Sequence, residues 1–165
     1  MSETGAPIKL FATLFVFWLL LSASLAIESV AIGALIAAVV AVLLPTSLSY
    51  LSGYRLTATS LAATFGFVGY FLVALVKANL AMAKLVLTPD LPVRPAIVRV
   101  RTHLKNPTAR LLLANSITLT PGTLSVEMKG EWLYVHWVIA EATEAEAATR
   151  AIAAGFERYL EVMYG

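Results

Sequence analysis

At 165 residues, 59% hydrophobic and 13% charged, the chain is poor in charge for a soluble domain, which carries about 25%. Its net charge of +2 excludes the dense Lys and Arg balance of a nucleic-acid binder, and its mean hydropathy is +0.82. With no cysteine in the chain, disulfides, thiolate metal sites and a cysteine nucleophile are excluded together.

The apolar residues are concentrated in the first half. Ile8 to Ile27, with Lys9 at its edge as the one charge, has the length that crosses a ~30 Å hydrocarbon core as a helix. Ser24-Leu25-Ala26 resembles a signal-peptide cleavage site, but a second apolar segment follows almost at once, which opposes that reading. Glu28 interrupts the run. Ser29 to Leu44 is apolar again, though at about 16 residues it is short for a full crossing. Pro45 to Arg55 is rich in residues that punctuate helices. Leu61 to Leu87 predicts a third helix roughly 40 Å long, which must tilt or project into the cytoplasm.

Lys84, Arg94, Arg99, Arg101, Lys105 and Arg110 follow the third segment closely, whereas the earlier loop offers only Arg55 and the N-terminus only Lys9. The positive-inside rule therefore places the C-terminal half in the cytoplasm. Three full crossings put the N-terminus outside; a re-entrant or interfacial pair of short segments puts it inside. The expected fold class is a membrane protein with a helical N-terminal half, residues 1–88, of two to three transmembrane segments. A small cytoplasmic α+β domain, residues 89–165, follows it.

Small residues recur at helical spacing. Gly33, Ala37 and Ala41 lie four apart on the second segment, and Ala62, Gly66 and Gly69 form a stripe on the third. Such stripes let helices approach closely, either within this chain or against partner subunits, and all six are candidate partner contacts. Charges within apolar segments are candidates for an ion path. Glu28 sits at a segment boundary, and Lys77, with Asn79 beside it in sequence, lies about seven residues deeper than Lys84, which can snorkel. The opposing reading puts both lysines in the interface, because the helix is longer than the bilayer requires.

From Thr88 the pattern changes. Pro89, Pro92 and Pro95 predict an extended linker, and Ala96 to Arg101 alternates as a strand. Asn106-Pro107 predicts a helix start with an Asn cap, running to about Ser116. Pro121-Gly122 suits a type II turn. Leu124, Val126 and Met128 alternate with Ser125 and Glu127, Lys129-Gly130-Glu131 turns the chain, and Trp132 to Val138 returns it as a hairpin. Thr143 and Glu146 predict a capping box for one last amphipathic helix to Met163. The expected order is β-α-β-β-α. His103 and His136 have no companions of a catalytic or zinc motif, and His136 alternates with Trp132 and Tyr134 as a sheet-surface residue. No enzyme activity, metal or cofactor is expected from these residues.

The run Asn115-Ser-Ile-Thr-Leu-Thr-Pro-Gly-Thr-Leu124 is followed by Leu133-Tyr-Val-His-Trp137 and preceded by Ala81-Met-Ala-Lys-Leu-Val-Leu-Thr-Pro89. With the order of apolar segments, these stretches resemble the E-type subunit of the Mrp-type (Mnh-type) multisubunit sodium/proton antiporters over nearly the whole chain. The resemblance implies a prokaryotic plasma-membrane complex that exchanges Na⁺ for H⁺. Its large subunits would carry the proton route, and this chain would be an accessory member needed for assembly and activity, flanking the cation path. Implied partners are other antiporter subunits and the lipid bilayer. Physically the signature, with Asn115, Thr118, Thr120, Pro121, Gly122 and Thr123, reads as a helix end, a turn and a strand start. The competing reading is a membrane-anchored adaptor whose cytoplasmic domain binds a soluble partner.

Overall fold

The computed structural model describes residues 6–44, 53–90 and 92–165. Of the loop expected from Pro45 to Arg55, only Gly53, Tyr54 and Arg55 fall among them. The chain divides into two compact units at Ser52/Gly53, whereas composition divides it at 88/89. The packing boundary moves because the third apolar helix folds with the C-terminal residues.

The first unit is a helical hairpin of α1 (Ala6–Ser22) and α2 (Ile27–Leu43). The first helix stops five residues before Ile27, where Ala23 adopts a left-handed φ of +46°. Glu28 therefore does not interrupt a helix; it lies exposed in the first turn of α2, where a carboxylate complements the exposed amide ends. Trp18 closes the hairpin. Its Nε1 donates to the Ser29 carbonyl at 3.0 Å, and its ring lies over Gly33, where any Cβ would collide with it. Ala37 and Ala41 are buried in the same seam.

The second unit combines α3 (Ala58–Leu87) with β1 (Ala96–Arg101), α4 (Pro107–Leu119), β2 (Thr123–Lys129), β3 (Trp132–Trp137), α5 (Ala145–Ile152) and α6 (Ala154–Tyr164). The sheet is antiparallel with order β1-β3-β2. Val98, Val100, Leu133 and Val135 point from one face into a core shared with Leu113, Ile117, Phe156 and Leu160. Asn106 caps α4 as expected, its Oδ1 accepting from the amides of Thr108 and Ala109 at 2.9 and 3.2 Å.

Three local expectations are corrected. The helix expected to end near Ser116 runs to Leu119, because Ile117 faces the core. The capping box is not formed: the N-cap is Glu144, with no side-chain cap bond. The single last helix is two helices meeting at Ala153, so that α5 covers β1 while α6 turns to lie along α3. The observed order after α3 is thus β-α-β-β-α-α.

Among the described residues one helix, α3, is long and apolar enough to cross a membrane; α1 and α2 are shorter, at 17 residues each. Yet α3 is packed on one side. Phe67, Tyr70 and Phe71 all meet the Phe156 ring, with centroids 6.1, 5.0 and 6.4 Å away. The chain entering α3 also closes the end of α6: Ser60 Oγ donates to the Val162 carbonyl at 3.1 Å, and the Arg55 amide to that of Met163 at 2.9 Å. These carbonyls have no partner within their own helix.

Candidate functional site at the signature turn

The signature residues build one structure, the closure of α4 onto β2. Hydroxyls add further hydrogen bonds to the carbonyls of the last turns of α4. Thr118 Oγ1 donates to Ala114 O at 2.9 Å and Thr120 Oγ1 to Ser116 O at 2.8 Å. Thr123 Oγ1 reaches Ile117 O at 2.6 Å, and Ser125 Oγ reaches Ala114 O at 2.9 Å. The Ser125 amide in turn donates to Thr118 Oγ1 at 3.1 Å. Between helix and strand, Thr123 N bonds back to Thr120 O at 3.2 Å across Pro121-Gly122. Gly122 has φ +93°, which the third position of a type II turn requires. Asn115 is exposed on α4.

This turn borders a cavity of about 240 Å³ on the inner side of α3, lined by Ala78, Met82, Pro121, Gly122, Trp137 and Phe156 among others. Its lining is largely apolar, with Glu141 the only charged group, so it offers packing volume rather than a cation site.

Of the ion-path candidates, Lys77 and Asn79 lie in the second unit and Glu28 in the first. Lys77 and Asn79 are both exposed on α3, but two residues apart on a helix means about 200° of rotation. Asn79 Nδ2 is already used, donating to Leu75 O at 2.8 Å. The small residues divide between those packed within this chain and those left exposed. Gly33, Ala37 and Ala41 are consumed inside the hairpin. Gly66 is covered by Tyr159, where an added Cβ would stand 2.7 Å from the ring. Ala62 and Gly69 remain exposed, with nothing within 4 Å of a Cβ built on Gly69.

Two features were not found from the sequence. Glu157 is buried, and its Oε1 accepts from Thr102 Oγ1 at 2.9 Å and from the His103 amide at 2.5 Å. It fastens α6 to the chain leaving β1. His103 and Glu161 bring ligand atoms within 4.8 Å of it, but protein donors already occupy that oxygen. The signal was available: Glu157 falls on the arc of Phe156, Leu160 and Tyr164, where a charge must have partners. The second feature is the outer sheet face, where register aligns Arg99 with Tyr134 and Arg101 with Trp132. Both guanidiniums approach the Trp132 ring, at 5.3 and 5.9 Å from its centroid.

A helical N-terminal half followed by a small α+β domain with a three-stranded antiparallel sheet is the class of fold that this chain adopts. A model of the family described as a Na⁺/H⁺ ion antiporter subunit matches residues 11–163, and the chain belongs to that family. It is 36% identical over 91 residues to the Na⁺/H⁺ antiporter E subunit of Alkalihalophilus pseudofirmus, covering 55% of this chain and 58% of that protein. The E subunit of Bacillus subtilis is 36% identical over 93 residues, with the same coverage. The E1 subunit of Staphylococcus saprophyticus is 35% identical over 78 residues, 46% of this chain and 49% of that one. The chain thus spans about half the length of the curated relatives it matches. Its fold is shared with a chain of the membrane-bound sulfane sulfur reductase, an archaeal respiratory membrane complex, at TM-score 0.84 and 35% identity, over 96% of this chain and 98% of that one.

Proposed function

We propose that this chain is a non-enzymatic accessory subunit of a multisubunit cation (Na⁺)/proton antiporter in the prokaryotic plasma membrane. Its role is assembly and activity of the complex, with Na⁺ and H⁺ carried by larger neighbouring subunits. The observation that carries the reading is family membership over residues 11–163, with a shared fold in a respiratory membrane complex. The described residues supply a compatible physical picture. The hydroxyls of the signature serve helix closure, and Glu28 and Lys77 are each exposed on their own helix. The excess of Lys and Arg after α3 supports a cytoplasmic C-terminal domain.

Mild detergent extraction with the tagged chain tests this. Antiporter subunits should copurify, and liposomes holding the chain alone should show no Na⁺-dependent proton flux. Capture of one soluble protein without membrane partners would favour the adaptor reading, for which the outer sheet face at Trp132 and Arg99 is the available surface.

A further inference from the structure

We infer that α3 does not cross the bilayer but lies in its cytoplasmic interface, its free apolar face in lipid and the sheet domain seated on its other face. The first observation is the length over which the domain covers it. Ser60 bonds to Val162, Gly66 lies under Tyr159, Tyr70 packs on Phe156, and Met82 lies against Gly122. From residue 60 to residue 82 a helix rises about 33 Å, more than the ~30 Å hydrocarbon core. No segment of α3 long enough to span is free of the domain. A crossing would carry the exposed charges Arg158 and Glu161 to hydrocarbon depth, where charges are rare.

The second observation is the opposite face. Leu61, Phe65, Leu72, Val76 and Leu80 are between 52% and 71% exposed and, at about 100° per residue, share one arc of the helix. Asn79 within that arc has its amide satisfied by Leu75 O. The third observation is charge. Lys77, Lys84, Gly66 and Tyr70 fall together on the border between the apolar arc and the domain. Arg158 lies over the rings of Tyr70 and Tyr159 on that border, 5.4 and 4.6 Å from their centroids. Lysines reaching for lipid phosphates and tyrosines at headgroup level mark a helix lying in the interface. This arrangement separates α3 from a partner-covered helix: a protein partner does not call for a cationic, aromatic border along one edge.

The cysteine-free sequence allows a direct test in the assembled complex. Single variants Phe65→Cys, Leu72→Cys and Leu80→Cys, spin-labelled in phosphatidylglycerol-containing liposomes, report depth through collision with oxygen and with a nickel chelate. The complex without an introduced cysteine is the background. An in-plane helix gives one shallow, oxygen-rich depth at all three positions, although they are separated by about 22 Å along the axis. A depth that changes steadily from Phe65 to Leu80 would overturn the inference in favour of a crossing. Labels shielded from both colliders would overturn it in favour of a protein partner. Copurification of the subunits does not depend on either outcome, so failure here is separable from failure of the functional assignment.

Discussion

The α1–α2 hairpin and α3 are similar in hydropathy but differ in how they pack. The hairpin is closed by small residues and one indole: Gly33, Ala37 and Ala41 form the seam under Trp18. The α3 helix is held by aromatic side chains and by hydroxyls that complete another helix's bonding, as a core helix of a soluble domain is. Apolar composition thus does not distinguish a helix packed through small residues from one packed on one side through aromatic rings. The aromatic content of one face does, because Phe67, Tyr70 and Phe71 supply specific geometry and buried area that an aliphatic lipid face does not need.

Removing the central ring should break this comparison most severely. Phe156→Ala deletes the side chain that Phe67, Tyr70 and Phe71 all touch, a loss of about 3–5 kcal/mol for a buried aromatic. Limited proteolysis in the membrane should then cut the C-terminal unit while the α1–α2 hairpin stays protected. Equal protection of variant and wild type would show that α3 does not depend on α6.

The glycines of α3 sharpen it. Gly66→Leu must displace Tyr159, an overpacking effect of about 1–3 kcal/mol, whereas Gly69→Leu enters open space. Recovery of intact complex should fall for the first and not for the second. The reverse order would mean that the stripe serves partner subunits. Gly122→Val should follow, since a β-branched residue at φ +93° carries strain of about 1–2 kcal/mol. Lost expression or assembly with unchanged Na⁺/Li⁺ preference is expected, and normal assembly with altered preference would contradict a structural role for the turn.

Much of the small domain was legible because short-range chemistry fixes it. The alternation of β1, the Asn106-Pro107 cap, the Pro121-Gly122 turn and the hairpin at Gly130, with φ +57°, each depend on residues a few positions apart. What was not legible depends on distant contacts. The extension of α4 to Leu119 rests on Ile117 facing the core and on Thr123 donating back to its carbonyl across the turn. The break at Ala153 leaves no proline or cap signal. It exists because α5 and α6 cover different elements. The domain boundary was placed at 88/89 because hydropathy averages over both faces of α3, while the bonds of Arg55 and Ser60 join residues about a hundred positions away.

The smallest expected effect is at the end of α6. Burial, with the neighbouring Tyr54 adding to it, raises the Tyr164 phenol above 10.0. Above about pH 10 the unfolded chain loses that proton while the folded one retains it, so stability falls as pH rises through that range. Tyr164→Phe should flatten the loss in alkaline thermal-inactivation curves. An unchanged alkaline slope would mean the phenol does not sense the fold.

Under the proposed function, this subunit supports a transport complex without forming its ion path. Glu28 and Lys77 are the charges whose positions in the sequence most invite the opposite view, and both are exposed. The decisive measurement is Na⁺/H⁺ exchange by assembled Glu28→Gln and Lys77→Met complexes in proteoliposomes. Wild-type rate and apparent Na⁺ affinity in both are the expected result. Slowed exchange or altered Na⁺ affinity in either, with the complex intact, would place this subunit in the path and contradict the account.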